Sequence, residues 1–138
     1  MSTTLADYVK FYTALMQHKG LRAASFQEMI RPQVRIRSKR QFGPDAGVDG
    51  SDNDLIQLSY GLGVGLLHSP QGWAFFKEGH DEGWGHYCIC FPEQGIAVLI
   101  MTNTDTGESV FKDLLQSAIG DIYTPWQWEN YIPFAAQK

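Results

Sequence analysis

Apolar residues recur at three- and four-residue steps from Leu5 through Tyr8, Val9, Tyr12 and Leu15 to Met16. That spacing predicts an amphipathic helix over 4–19. Thr4 and Asp7 have the form of a capping box at its start, and Gly20 suits its end. A shorter helix is expected over 24–31. There Ser25 and Glu28 form an S-x-x-E pair, Phe26, Met29 and Ile30 supply the apolar side, and Pro32 stops the run.

Residues 32–57 lose the helical period and read as a long polar loop, with one short strand expected in "VRIRSK". From residue 59 the pattern changes to that of strands: 59–68, 72–79, 83–91 and 95–103, joined by "SPQ" and "PEQG". Turns this short favour antiparallel neighbours. "AVLIMT" is apolar almost throughout, the pattern of a central strand covered on both faces. A closing helix over 108–121 gathers Val110, Phe111, Leu114, Leu115, Ala118 and Ile119 on one side. The tail "YTPWQWENYIPF" reads as a segment packed on a surface. The layout is α+β, an antiparallel sheet packed with helices, in a single domain over 1–138.

Composition narrows the function classes. With 43% hydrophobic and 19% charged residues the chain is not of the disordered type. A net charge of −4 argues against nucleic acid as partner. No apolar run approaches membrane-spanning length, and "MSTTLADYVK" lacks the features of a signal peptide, which leaves the cellular compartment open. Arg31, Arg35, Arg37, Lys39 and Arg40 form a basic cluster, read as a solvated face rather than a phosphate site because no aromatic residue accompanies it. Cys88 and Cys90, two apart in a strand, share a face and are poorly placed to bridge each other, so buried free thiols are expected.

The segment "FFKEGHDEGWGHYCICF" (75–91) concentrates the candidate chemistry. Together with "YGLGVGL" (60–66), "PEQGIAVLIMTN" (92–103) and the Gly107 turn, it resembles the C-terminal part of the serine β-lactamase and penicillin-binding-protein-like hydrolases. The likeness is to their class C-like branch of carboxypeptidases, D-aminopeptidases and esterases, and it spans roughly residues 3–122. It implies the C-terminal portion of a β-lactamase/transpeptidase-like fold. It also implies hydrolysis of a small or peptide-like amide or ester through an acyl-enzyme, with no cofactor, metal, nucleic acid or membrane. Lys77-Glu78-Gly79 takes the place of the family's K-[TS]-G strand motif. By that resemblance Lys77 supplies positive charge or helps move a proton, Gly79 lets substrate approach, and the His80 backbone N–H forms half of an oxyanion hole. Glu78 and Asp81 would line the substrate. Glu78 departs from the family pattern, because it repels the carboxylate that Thr or Ser would bind.

Two further motifs match by letter only. Ser109 and Lys112 spell S-x-x-K but follow the strand motif, and are read as surface helix residues. Ser51-Asp52-Asn53 is read as an Asx-type turn. The nucleophile is therefore expected outside this chain, which alone would be inactive. His86, Cys88 and Cys90 alternate onto one face and are the residue types of a zinc site, but lack its usual spacing. His18 and His68 are read as exposed helix and strand ends. The alternative to hydrolysis is a binding domain that pairs through its sheet edge, with self-association as one outcome.

Overall fold

The computed structural model describes residues 3–132. Helix α1 spans Leu5–Met16. Its capping box forms: the Asp7 N–H donates to Thr4 Oγ1 at 3.2 Å, and the Thr4 hydroxyl donates to the Asp7 carboxylate at 3.0 Å. A cap of this kind contributes about 1 kcal/mol. Past the helix end, His18 and Gly20 adopt positive φ and turn the chain back. Helix α2, Ala23–Met29, starts at Arg22 instead of at Ser25. Ser25 thus lies inside its first turn, and Glu28 reaches outward to Arg31 at 2.6 Å and Gln33 at 3.0 Å.

Six antiparallel strands follow in sequence order: β1 Val34–Arg35, β2 Ser59–Tyr60, β3 Gly65–Ser69, β4 Gly72–Asp81, β5 Trp84–Phe91 and β6 Ile96–Thr102. Helix α3, Phe111–Ile119, closes the series after a single tight turn over Gly107–Val110. With three helices and an antiparallel sheet the architecture is α+β.

The structure corrects two strand expectations. The run 59–68 is not one strand. Gly63 takes φ +84°, Gly61 N–H donates to the Val64 carbonyl, and Leu62 N–H donates to Met29 of α2, so the chain doubles back between β2 and β3. Nor is "AVLIMT" central. It forms β6, which has β5 as its single described neighbour. Helix α1 half-covers one of its faces through Leu99, and Val98 and Ile100 pack against the opposite core. Helices on both faces, not a strand on both sides, explain its apolar sequence.

Strand alternation sorts the core into two layers. Phe75, Cys88 and Cys90 face Tyr12 and Phe26 of the first two helices. Phe76, Tyr87, Ile89 and Phe91 face Phe111 and Leu115 of α3, together with Trp126, Trp128 and Tyr131 of the tail. The tail packs as expected from Tyr123 to Tyr131, while Pro133 and Phe134 lie outside the described residues. Buried Asp121 starts it by accepting from the Tyr123 and Thr124 N–H groups and the Thr124 hydroxyl. The 32–57 loop is less polar than its composition suggests, because Ile36 and Ile56 join this second layer. Arg35 secures it, donating to the Leu58 carbonyl at 2.9 Å and pairing with Asp54 at 2.7 Å. Both cysteines are buried free thiols, and Cys88 Sγ lies 2.7 Å from the Tyr12 hydroxyl.

Gly65 pairs with Phe76, and a Cβ at that position would run into the Phe76 ring. Gly65→Ala is expected to lower stability by about 1–3 kcal/mol through overpacking. Urea unfolding should show a reduced midpoint with an unchanged slope. An unchanged midpoint would contradict this packing.

Candidate active site at the free end of strand β4

Strand β3 pairs with β4 from Ser69↔Gly72 to Gly65↔Phe76 and then turns away at Gly61–Val64. Strand β5 stays paired with β4 as far as Asp81. Residues Lys77–Asp81 therefore have a strand on one side only among the described residues. Alternate N–H and C=O groups of such a segment point outward without a ladder partner.

Side chains alternate along this segment. Lys77 and Gly79 lie on the α1 face, and Glu78 and His80 on the α3 face. Yet Lys77 Nζ is 3.3 Å from Glu78 Oε2. Neighbouring residues on opposite faces meet only by reaching around the unpaired side. Lys77 Nζ also donates to the Tyr60 hydroxyl at 3.3 Å, and Glu78 accepts from Gln41 Nε2 at 2.8 Å. Burial pulls the Lys77 pKa down, but the Glu78 charge and the Tyr60 hydroxyl outweigh it, so the ammonium titrates above the usual lysine value. At neutral pH Lys77 is a cation and not a proton acceptor.

A groove of about 530 Å³ runs beside this pair, lined by Lys77, Gly79, Tyr8, Trp84, His86 and Met101. Gly79 leaves its floor open, since a Cβ there would meet only the Trp84 ring, at 3.7 Å. On the other face, exposed His80 places Nδ1 at 3.8 Å from Glu108 Oε1 and its ring 6.4 Å from that of Tyr131. Burial raises the Glu108 pKa against the pull of His80. Asp81 is exposed, and its carboxylate accepts the Glu82 N–H at 2.8 Å, which shapes the β4–β5 turn.

The structure thus brings Lys77 and Glu78 together around the free edge beside Gly79, turns the His80 side chain on the α3 face toward Glu108 and Tyr131, and commits Asp81 to a turn. Tyr60 and Gln41 were not legible as site residues. Tyr60 opens the "YGLGVGL" run but reaches Lys77 only because of the turn that follows it, and nothing in the loop around Gln41 marks it.

The remaining candidates fall elsewhere. Ser109 is not a surface helix residue. It is buried in the turn before α3, its hydroxyl donating to the Thr106 carbonyl at 2.7 Å, whereas Lys112 is exposed. Ser51-Asp52-Asn53 sits in a turn made by backbone, with the Asp54 N–H donating to the Ser51 carbonyl at 3.0 Å. His86 packs against Trp84 while Cys88 contacts Tyr12. No group of three or more His, Cys, Asp or Glu among the described residues is arranged to hold a metal ion. His18 lies at an exposed helix end with its ring on Phe26, but His68 is half-buried against Trp73 and is not an exposed strand end.

A family model described as Beta-lactamase matches residues 1–120. No curated protein matches the chain. The matched span holds the six strands and three helices found among the described residues, with the free end of β4. The chain belongs to the β-lactamase family.

Proposed function

We propose that this chain forms the β4 side of a serine-hydrolase site and corresponds to the C-terminal part of a class C-like, β-lactamase-type fold. The observation that carries the reading is the unpaired edge of Lys77–Asp81 beside a protonated lysine. An extended acyl substrate can align along such an edge. In acyl transfer a serine Oγ attacks the carbonyl carbon, the carbonyl oxygen gains negative charge, and the amine or alcohol leaves with a proton. Water then cleaves the acyl-serine. Outward N–H groups, that of His80 among them, and the Lys77 ammonium are suited to the growing negative charge. Gly79 leaves room above the strand.

The acylated serine is read as coming from outside the described residues. The hydrogen-bond partners of Lys77 are Tyr60 and Glu78, and Ser51 and Ser109 are engaged in turns away from it. Glu78 opposes a substrate carboxylate at this strand, and Asp81 adds negative charge at its end. The fitting substrates are esters or amides without that carboxylate, of the esterase or D-aminopeptidase type. Lys77 and Glu78 compensate each other's charge, so the local field is weaker than that of a lone lysine.

Purified alone, the chain should hydrolyse nitrocefin and short acyl esters no faster than a heat-denatured control, and a fluorophosphonate should leave Ser51 and Ser109 unlabelled. An acyl-enzyme mapped to either serine would overturn the assignment. In a preparation that carries the nucleophile, Lys77→Ala should lower kcat/KM by about 2–4 kcal/mol. Glu78→Thr should improve turnover of carboxylate-bearing substrates. Full activity in Lys77→Ala would exclude the proposed charge role.

A second reading, association through exposed surface, is favoured by Leu5 and Val9 on α1 beside β6, and by Phe11 on the side of α1 toward Leu62 and Val64, each more than 40% exposed. Light scattering should then show concentration-dependent association that weakens in Phe11→Ser. A strict monomer at high concentration would contradict it.

A further inference from the structure

On the α3 face behind β4 lies a set of buried polar atoms without hydrogen-bond partners among the described residues: both carboxylate oxygens of Glu129, the Tyr131 hydroxyl and Trp126 Nε1, with the buried Tyr87 hydroxyl beside them turned toward Thr124. Their rings form one cluster, with Tyr87 and Trp126 at 5.1 Å and Trp126 and Tyr131 at 5.8 Å. Glu129 is only 3% exposed. An ionised carboxylate is strongly disfavoured in such a place unless it is paired.

The groups facing Glu129 do not pair it. They are Lys77 and Glu78 from β4, Tyr87 from β5, Glu108 ahead of α3, and Tyr131 of its own segment. Asp121 faces Tyr87, and His80 lies between Glu108 and Tyr131. Of the groups acting on Glu129, two are carboxylates, and Lys77 is already engaged by Glu78. Burial first, then Glu78 and Glu108, raise the Glu129 pKa well above the ordinary carboxyl range against the pull of Lys77.

The segment that carries Glu129 is tied to the candidate site. The Gln41 N–H donates to the Trp128 carbonyl at 2.7 Å, while the Gln41 side chain donates to Glu78. Trp128 Nε1 donates to Ser38 Oγ at 3.1 Å, and the Tyr131 ring meets His80.

We propose that residues 124–131 are a proton-latched strap: it stays docked while Glu129 is protonated, and ionisation of Glu129 releases it. Release breaks the Trp128–Gln41 bond and loosens Glu78 from its place beside Lys77. The strap's motion stands on the buried cluster alone, whereas its effect on turnover rests on the reading of β4 given above.

The sign follows from linkage. Docking raises the Glu129 pKa, so docking is strongest below the ordinary glutamate value of about 4.3. It weakens as pH rises, by up to tenfold per unit, until the docked carboxyl itself has ionised. The test is an NMR titration of the full chain from pH 4 to 9, reading the Glu129 side-chain carboxyl carbon and the Trp126 and Trp128 indole N–H signals. The expected result is a carboxyl midpoint above pH 5, with both indole signals shifting and acrylamide quenching rising at the same midpoint. In Glu129→Gln the indole shift should vanish and the strap should stay docked. A Glu129 already ionised at pH 5 in a docked strap would overturn the proposal. So would a strap that stays docked with Glu129 protonated to pH 9, or an indole transition unchanged in Glu129→Gln. The titration in the unmutated chain decides the matter even if the variant fails to fold. The expected Glu129 titration combined with full activity of Lys77→Ala, in a preparation that carries the nucleophile, would count against the β4 reading and not against the strap.

Discussion

Strand β3 is five residues long and β4 is ten, and the site follows from that mismatch. The positive φ of Gly63 and the contact of Leu62 with α2 turn the chain away before β3 can continue alongside Lys77. Beyond Phe76 the sheet must leave backbone groups facing outward. A free edge is ordinarily a hazard for uncontrolled pairing. Here a lysine, a glutamate, a tyrosine and a glutamine reach around it, so a polar network holds the place that a strand would fill. Phe75 and Phe76, paired on both sides and buried in both core layers, keep the base of the free end rigid.

That network also sets the electrostatics. A lysine whose carboxylate partner is fixed by Gln41 offers less net field than its charge alone, but a more definite position. Gln41 comes from the long loop, and its backbone is held by the aromatic tail. Gln41 of the loop therefore joins Glu78 of the strand to Trp128 of the tail. Such coupling through two discrete contacts is the kind of link that can carry a signal between a buried acid and a surface cation.

Much of this was legible in the sequence, for local reasons. The Thr4–Asp7 cap, the alternation through 72–91 and the stripe of α3 depend on neighbours within a few residues. The doubling back at Gly61–Val64 was not legible, because three glycines within an apolar run satisfy a strand pattern equally well until Met29 supplies an acceptor from outside. The edge position of β6 was hidden for a related reason. An apolar strand reads as central whether its cover is made of strands or of helices. Lys77-Glu78-Gly79 could be found by resemblance. Tyr60, Gln41 and Glu129 lie 17, 36 and 52 residues away from Lys77, and only the folded chain brings them to bear.

The candidate site depends on the outer side of Lys77–Asp81 being free of a pairing strand. Amide hydrogen exchange resolved residue by residue tests this most directly. Phe75 and Phe76, bonded on both sides, should be protected to nearly the global stability, while alternate amides from Lys77 to Asp81 exchange as fast as exposed loop amides. Uniform protection from Phe75 through Asp81 would mean that another segment pairs with this edge, and would remove the site.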